Sequence, residues 1–307
     1  MNALIEWLLE GDPAIVFQTH RDLLESDEEV LIKLQNQIHQ SGWGAQFLSK
    51  RDTETAMWGK GAYSPKWIST TYTLLDLKNL GILPQLPAYL ESSALILDRL
   101  WRLPVKSKDR YQDLCICGML LNLCCYGGIK DQKINEMIDY TLDKQFVDGG
   151  WNCRWEVDHD HGSLHTTINV LEGLKEYIEN GYSYRSQEIH QAITCAHEFI
   201  LMHRLYRSDR TGKVIDHHMT MLSYPGRWKY DALRALDYFQ SIDYPYDPRM
   251  SDGMKLLMKK KRKDGYWPVQ QKYAGLVHFD MEQTGKASRW NTLRALRVLE
   301  QYGETFE

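Results

Sequence analysis

Helical runs recur along this chain at nearly regular intervals, and that repetition limits its fold more than any single motif. Apolar runs with helical periodicity begin near Pro13, Pro65, Tyr111, Ser163, Arg227 and Arg289, at steps of 52, 46, 52, 64 and 62 residues. Second helical stretches fall at 27–39, 87–103, 131–146, 186–205 and 250–263, with residues 2–10 as a sixth. The pattern predicts six helical hairpins. The first set is the more apolar, as in "STTYTLLDLKNLG", "HTTINVLEGL", "RWKYDALRALDYF" and "RWNTLRALRVL". Such a hairpin buries its apolar face only against its neighbours. The chain is therefore expected to be all-α, an (α/α)6 toroid with the first set as inner ring and the second as outer ring. No alternating strand pattern competes and no linker divides the chain, so residues 1–307 are expected to form one domain.

The turns repeat too. "SGWG" at 41, "DGGW" at 148 and "DGYW" at 264 place Trp43, Trp151 and Trp267 at intervals of 108 and 116 residues, two repeat lengths each time. Glycine ends a helix readily in a left-handed conformation, and the following tryptophan can pack back over the last turn. These tryptophans are read as staples between repeats.

Of the 307 residues 43% are hydrophobic, enough for a substantial core. A net charge of −4 from 37 basic and 41 acidic residues gives no general attraction to nucleic acid or anionic lipid, and no nucleic-acid partner is expected. The first residues, "MNALIEWLLEGDP", lack a basic leader, and no run approaches membrane-spanning length. Six cysteines (Cys115, Cys117, Cys124, Cys125, Cys153, Cys195) contain no CxxC pair, and four lie in "DLCICGMLLNLCCYGG" at helical spacing. They read as reduced core thiols of a cytoplasmic protein. Nothing calls for an obligate protein partner.

In such a ring the inner-helix N-termini share one rim, whose unpaired N–H groups favour negative charge. Basic groups crowd the same positions: Arg204, Arg207, Arg210, Lys213, His217 and His218, then Arg227, Lys286, Arg289 and Arg294. Cations are unfavourable beside helix N-termini. Two resolutions stand open, an anionic small-molecule ligand or buried carboxylate partners such as Asp216, Asp231 and Asp280. Trp67, Tyr72, Tyr111, Trp228, Tyr230 and Trp290 fall in the first turns of inner helices. Their faces suit a hydrocarbon, a sugar or a developing cation, and equally fill a core.

The stretch "DGGWNCRWEVDHDHGSLHTTINVLEGL" gathers Asp158, His159, Asp160, His161 and His165 ahead of an inner helix. Alternate residues diverge in an extended loop, so the D-H-D-H spacing assigns no metal site. Acid–base chemistry at His165 and plain helix initiation, with Ser163 as cap, both fit. Two further clusters compete: His278, Asp280 and Glu282 before the last inner helix, and Asp216, His217 and His218 before the fifth. Their loops are expected to meet at one rim, bringing His217, His278 and Asp280 towards Arg227 and Arg289.

The repeated "GW" turns, "DGGWNCRW", "TTINVLEGL" and "GKASRWNTLRALRVL" resemble the terpene cyclase and prenyltransferase superfamily of squalene-hopene-cyclase-like α/α toroids, along the whole chain. The resemblance implies an isoprenoid or similar amphiphile, its anionic head at the basic rim and its tail in an aromatic cavity. Where those cyclases carry their acid this chain has His165, with Gly162 and Leu164 at the two preceding acidic positions. His165, with Asp158 and Asp160 just upstream, are thus the catalytic candidates. "GKASRWNTLRAL" parallels the prenyltransferase stretch in which Lys286 and Arg289 match a diphosphate-binding rim and Asn291 replaces a zinc-binding histidine. The ligand-binding candidates are Arg207, His217, Arg227, Trp228, His278, Asp280, Lys286, Arg289 and Asn291. No cofactor is called for, and magnesium would enter only with a diphosphate ligand. Two other readings remain: a glycoside hydrolase or lyase pairing Asp158 or Asp160 with Asp280, and a non-catalytic binding protein.

Overall fold

The computed structural model describes residues 3–101, 113–154 and 161–306. Among these the chain is helical, with no β-strand. In chain order the helices are α1 (Ala3–Leu9), α2 (Pro13–Asp22), α3 (Glu28–Ile38), α4 (Gly42–Leu48), α5 (Thr70–Leu80), α6 (Pro87–Leu100) and α7 (Leu114–Tyr126). Then follow α8 (Gln132–Asp143), α9 (Leu164–Glu179), α10 (Ser186–Met202), α11 (Ala232–Gln240), α12 (Ser251–Lys260) and α13 (Arg289–Phe306). Each expected helix of the first set appears, as α2, α5, α7, α9, α11 and α13. The second set is α1, α3, α6, α8, α10 and α12. None is long and apolar enough to cross a membrane, among the described residues.

Burial follows the two sets. Every residue of α7 from Leu114 to Cys125 is buried, whereas α3 buries only Ile38. Four of the six cysteines, Cys115, Cys117, Cys124 and Cys125, are core residues of α7, as their spacing predicts.

The chain divides into two compact units, one of residues 1–50, 79–83 and 201–307, the other of residues 51–78 and 84–200. In the first unit α2 packs on α1, α3, α4 and α13, and α11 packs on α12 and α13. A charged network joins three of these helices. Arg297 of α13 reaches Asp22 at the end of α2 at 2.7 Å and Asp237 of α11 at 3.2 Å, while Arg294 holds the other Asp237 oxygen at 3.0 Å. In the second unit α7 packs on α6, α8 and α9. Two glycines set the α7–α9 crossing: a Cβ at Gly118 would lie 2.5 Å from the Asn169 carbonyl oxygen, and one at Gly173 would lie 2.5 Å from that of Gly118. The helix backbones touch there, which any larger residue would prevent.

The tryptophan turns act as anchors. Trp151 donates its backbone N–H to Thr167 Oγ1 (3.0 Å) and its indole N–H to the Thr141 carbonyl (2.8 Å). Trp267 repeats this with Thr292 Oγ1 (3.1 Å) and the Leu257 carbonyl (2.8 Å). Both side chains are wholly buried. The accepting carbonyls belong to the last turns of α8 and α12, where helices leave such groups unpaired. Each tryptophan therefore closes one helix of the second set and ties it to the start of the next helix of the first.

Trp43 departs from this pattern. It opens the unanticipated α4 and is only half-buried, and Asp12 accepts its backbone N–H (2.7 Å) as well as that of Ala14 (3.0 Å) at the start of α2. The backbone bond of an anchor falls to Trp58, wholly buried and donating to Thr70 Oγ1 at 3.1 Å. Ser163 occupies the N-cap of α9 as expected, yet its hydroxyl makes no capping bond.

His197, buried in α10, has its imidazole pushed down to about 4 by burial. The unfolded chain takes up that proton near pH 6.5 and the folded chain does not, so stability is complete above 6.5 and falls as pH drops towards 4. The expected loss between pH 7 and 5 is about 2 kcal/mol. Urea unfolding at the two pH values measures it, and His197→Gln should flatten the difference.

Candidate functional site

In the first unit, three loop segments form a laced layer over the first turns of α11 and α13. Gln270 N–H donates to the Leu222 carbonyl (2.8 Å), Gly285 N–H to Val269 (2.7 Å) and Ser288 N–H to Trp267 (2.8 Å). The Gln270 side chain accepts from Leu222 N–H at 3.1 Å. Thus the loop before α11 and the loop before α13 do meet, as their clustered residues suggest. Asn291, in the first turn of α13 and wholly buried, donates to the carbonyls of Pro268 (3.0 Å) and Leu222 (3.5 Å). It is a stitch between loops. Its Oδ1 has no hydrogen-bond partner among the described residues.

Glu282 completes the layer. Its carboxylate accepts the N–H of Trp290 at 3.1 Å and the hydroxyl of Ser288, so it caps α13 from outside the helix. Burial pushes this carboxyl above its ordinary range, against the opposing effect of those donors. Aromatic rings fill the space beside the cap. Tyr224 stacks on Trp290 with centroids 4.9 Å apart and planes at 21°, and Trp43 lies 6.4 Å from Tyr224.

The individual side chains expected at the rim mostly turn to partners of their own. Arg207 binds Asp252 (2.6 Å) and the Gly212 carbonyl (3.0 Å). Arg289 lies over the Trp7 ring at 4.4 Å, donates to the Trp7 carbonyl at 2.9 Å and reaches Glu10 at 3.7 Å. Asp280 pairs with Lys272 at 2.7 Å, and His278 meets the Phe47 ring edge-on at 5.8 Å. His218 binds Asp216 at 2.8 Å, beside an exposed His217. Arg227 is buried in a left-handed backbone conformation, φ +57°, and its carbonyl accepts from Arg234 at 3.2 Å. A basic group near a helix N-terminus is destabilising unless neutralised, and carboxylates or carbonyls far along the chain supply that here.

Two positively charged places face outward. Lys286 is exposed and makes no ion pair among the described residues. Lys229 Nζ sits 4.0 Å from the Trp228 ring centre and 5.9 Å from that of Tyr273, with all three side chains half-buried. Sequence reasoning named Trp228 and Lys286 but missed Lys229 and Tyr273, which become neighbours only when the loops are laced.

In the second unit His165 is half-buried in the first turn of α9, and its carbonyl accepts from Asn169 Nδ2 at 2.6 Å. Asp148 shapes the preceding turn, accepting from Gly150 N–H (2.9 Å) and Gly162 N–H (2.7 Å). Asp158, His159 and Asp160 lie outside the described residues, as does Tyr111. Among the described residues no three histidine, cysteine or acidic side chains stand close enough to hold a metal ion. No protein-family model matches the chain, and no curated protein matches it either.

Proposed function

We propose that the chain is a terpene-cyclase- and prenyltransferase-like α/α toroid of the cytoplasm that binds an isoprenoid or related amphiphile. The anionic head is held at Lys286 and Lys229, and the tail lies along Trp228 and the neighbouring aromatic rings. The observation that carries this reading is the pairing of cation and aromatic face at one accessible place, Lys229 over Trp228 and Tyr273. An ammonium beside indole and phenol rings offers a charged donor to a diphosphate and an apolar wall to the first carbons of a prenyl chain. The succession of buried helices, three of them (α5, α9 and α13) begun by turns that carry threonine, supports the toroid.

The test is incubation with farnesyl diphosphate, geranylgeranyl diphosphate and squalene, with and without magnesium, followed by mass spectrometry of bound species and products. Retention of a diphosphate is expected. Lys229→Ala and Lys286→Ala should each weaken it about tenfold, the value of one charge-assisted hydrogen bond, with unchanged melting temperature. Arg289→Ala should instead lower the melting temperature, since Arg289 joins Trp7 and Glu10 to α13. Retention of no panel member, or equal binding by the lysine variants, would overturn the reading.

A further inference from the structure

A pair of thiols in the second unit stands apart from everything described so far. Cys115 lies in the first turn of α7, and Cys153 lies in the turn that follows Trp151. The Cys153 sulfur accepts the backbone N–H of Cys115 at 3.3 Å and the hydroxyl of Thr166, in the first turn of α9, at 3.4 Å. Each thiol also shifts the ionisation of the other. Cys153 is half-buried and Cys115 is 8% exposed, so a small solute reaches the first more easily than the second.

This differs from the other α7 cysteines. Cys117 and Cys124 have no exposure and approach the Met137 and Ser93 carbonyls at 3.9 and 3.8 Å as thiol donors. Cys153 receives hydrogen bonds, which favours the ionised form of a sulfur. The donated bond from Cys115 holds the Cys153 thiol below its ordinary range and pushes Cys115 well above it, while burial and the carboxylate of Asp113 oppose ionisation at Cys153. One sulfur is set up to attack and its neighbour keeps its proton.

We propose that Cys153 and Cys115 form a peroxide-reactive dithiol, with Cys153 the attacking sulfur and Cys115 the resolving one. The Cys153 thiolate attacks hydrogen peroxide: an S–O bond forms, the O–O bond breaks and hydroxide leaves. The product is a sulfenic acid, with sulfur oxidised and peroxide reduced. The Cys115 sulfur then attacks the sulfenic sulfur, forming the S–S bond and breaking S–O, and its proton leaves with the hydroxide as water. A cellular dithiol reductant reverses the cross-link by exchange, as befits a transient disulfide in a reducing compartment.

The full chain is treated with hydrogen peroxide at neutral pH, blocked with N-ethylmaleimide and mapped by mass spectrometry. The expected product has lost two hydrogen atoms and yields a peptide linking residues 115 and 153. Cys115→Ser should stop at a sulfenic acid on Cys153 that dimedone labels, and Cys153→Ser should give no cross-link. Thr166→Val keeps both thiols and removes one donor, so it should slow iodoacetamide alkylation of Cys153 about threefold at unchanged melting temperature. That variant keeps the question answerable should a cysteine variant fail to fold. Modification of the exposed Cys195 in preference to Cys153, a different cross-link, no reaction at all, or an unchanged rate in Thr166→Val would overturn the proposal.

Discussion

Replacing Trp267 by alanine lowers the unfolding free energy by about 3–5 kcal/mol, and Trp151→Ala does the same. Both rings are wholly buried, so truncation leaves a large cavity. It also strands the Leu257 or Thr141 carbonyl at the C-terminal turn of α12 or α8. An unpaired buried acceptor costs about 1–3 kcal/mol. Phenylalanine restores most of the volume and none of the indole N–H, so Trp267→Phe isolates that smaller part. Trp43→Ala is the comparison: half-buried and held through its backbone, it should cost less than half as much. Denaturant unfolding of the four variants decides. Equal losses at Trp43 and Trp267 would mean that the anchor bonds contribute nothing of their own.

Arg297→Ala should cost about 3–5 kcal/mol, the penalty for removing one member of a buried ion network. Its side chain is 11% exposed, and its partners Asp22 and Asp237 are 13% and 20% exposed. Asp237 keeps Arg294, so most of the cost arises at Asp22. Burial raises the Asp22 carboxyl, but Arg297 and Arg21 outweigh it and hold the group below the ordinary range. Folded Asp22 thus binds fewer protons than unfolded, and its contribution, present above pH 4, is lost as pH falls below that. In Arg297→Ala the larger of the two opposing cations is gone, burial gains weight and the carboxyl rises. Protonation then relieves the variant, so its deficit against the parent narrows from pH 7 to pH 5. A deficit constant with pH would place the loss in packing of the arginine stem.

The periodic part of this architecture is legible in the sequence because it is local. The helical phase of "HTTINVLEGL" or "RWNTLRALRVL" depends on residues three and four apart, and α9 and α13 begin where that phase begins. Anchors were half legible. The "GW" turns mark Trp151 and Trp267, but the receiving threonines lie 16 and 25 residues away, and nothing local tells Trp58 from Trp43. The basic rim was legible as a conflict and not as its resolution. Arg207 and Asp252 are 45 residues apart and Arg297 and Asp22 are 275 apart, so pairing depends on folding. Cys153 was read with the core cysteines because a sulfur's hydrogen-bonding direction leaves no periodic trace.

The order in which the two units occur along the chain has a consequence for biosynthesis. Residues 1–50 belong with residues 201–307, while the other unit draws on residues 51–78 and 84–200. Helix α2 carries Ala14, Ile15 and Phe17 as core residues, yet its neighbour α13 begins only at Arg289. Helices α1, α3 and α4 cover most of that face as they emerge, but at a translation rate of about 5–20 residues per second the strip that meets α13 waits about 15–50 s. Residues up to 200 emerge meanwhile and complete the intervening unit. A nascent-chain chaperone has its longest opportunity at that strip of α2, which is made among the first parts of the chain and covered among the last.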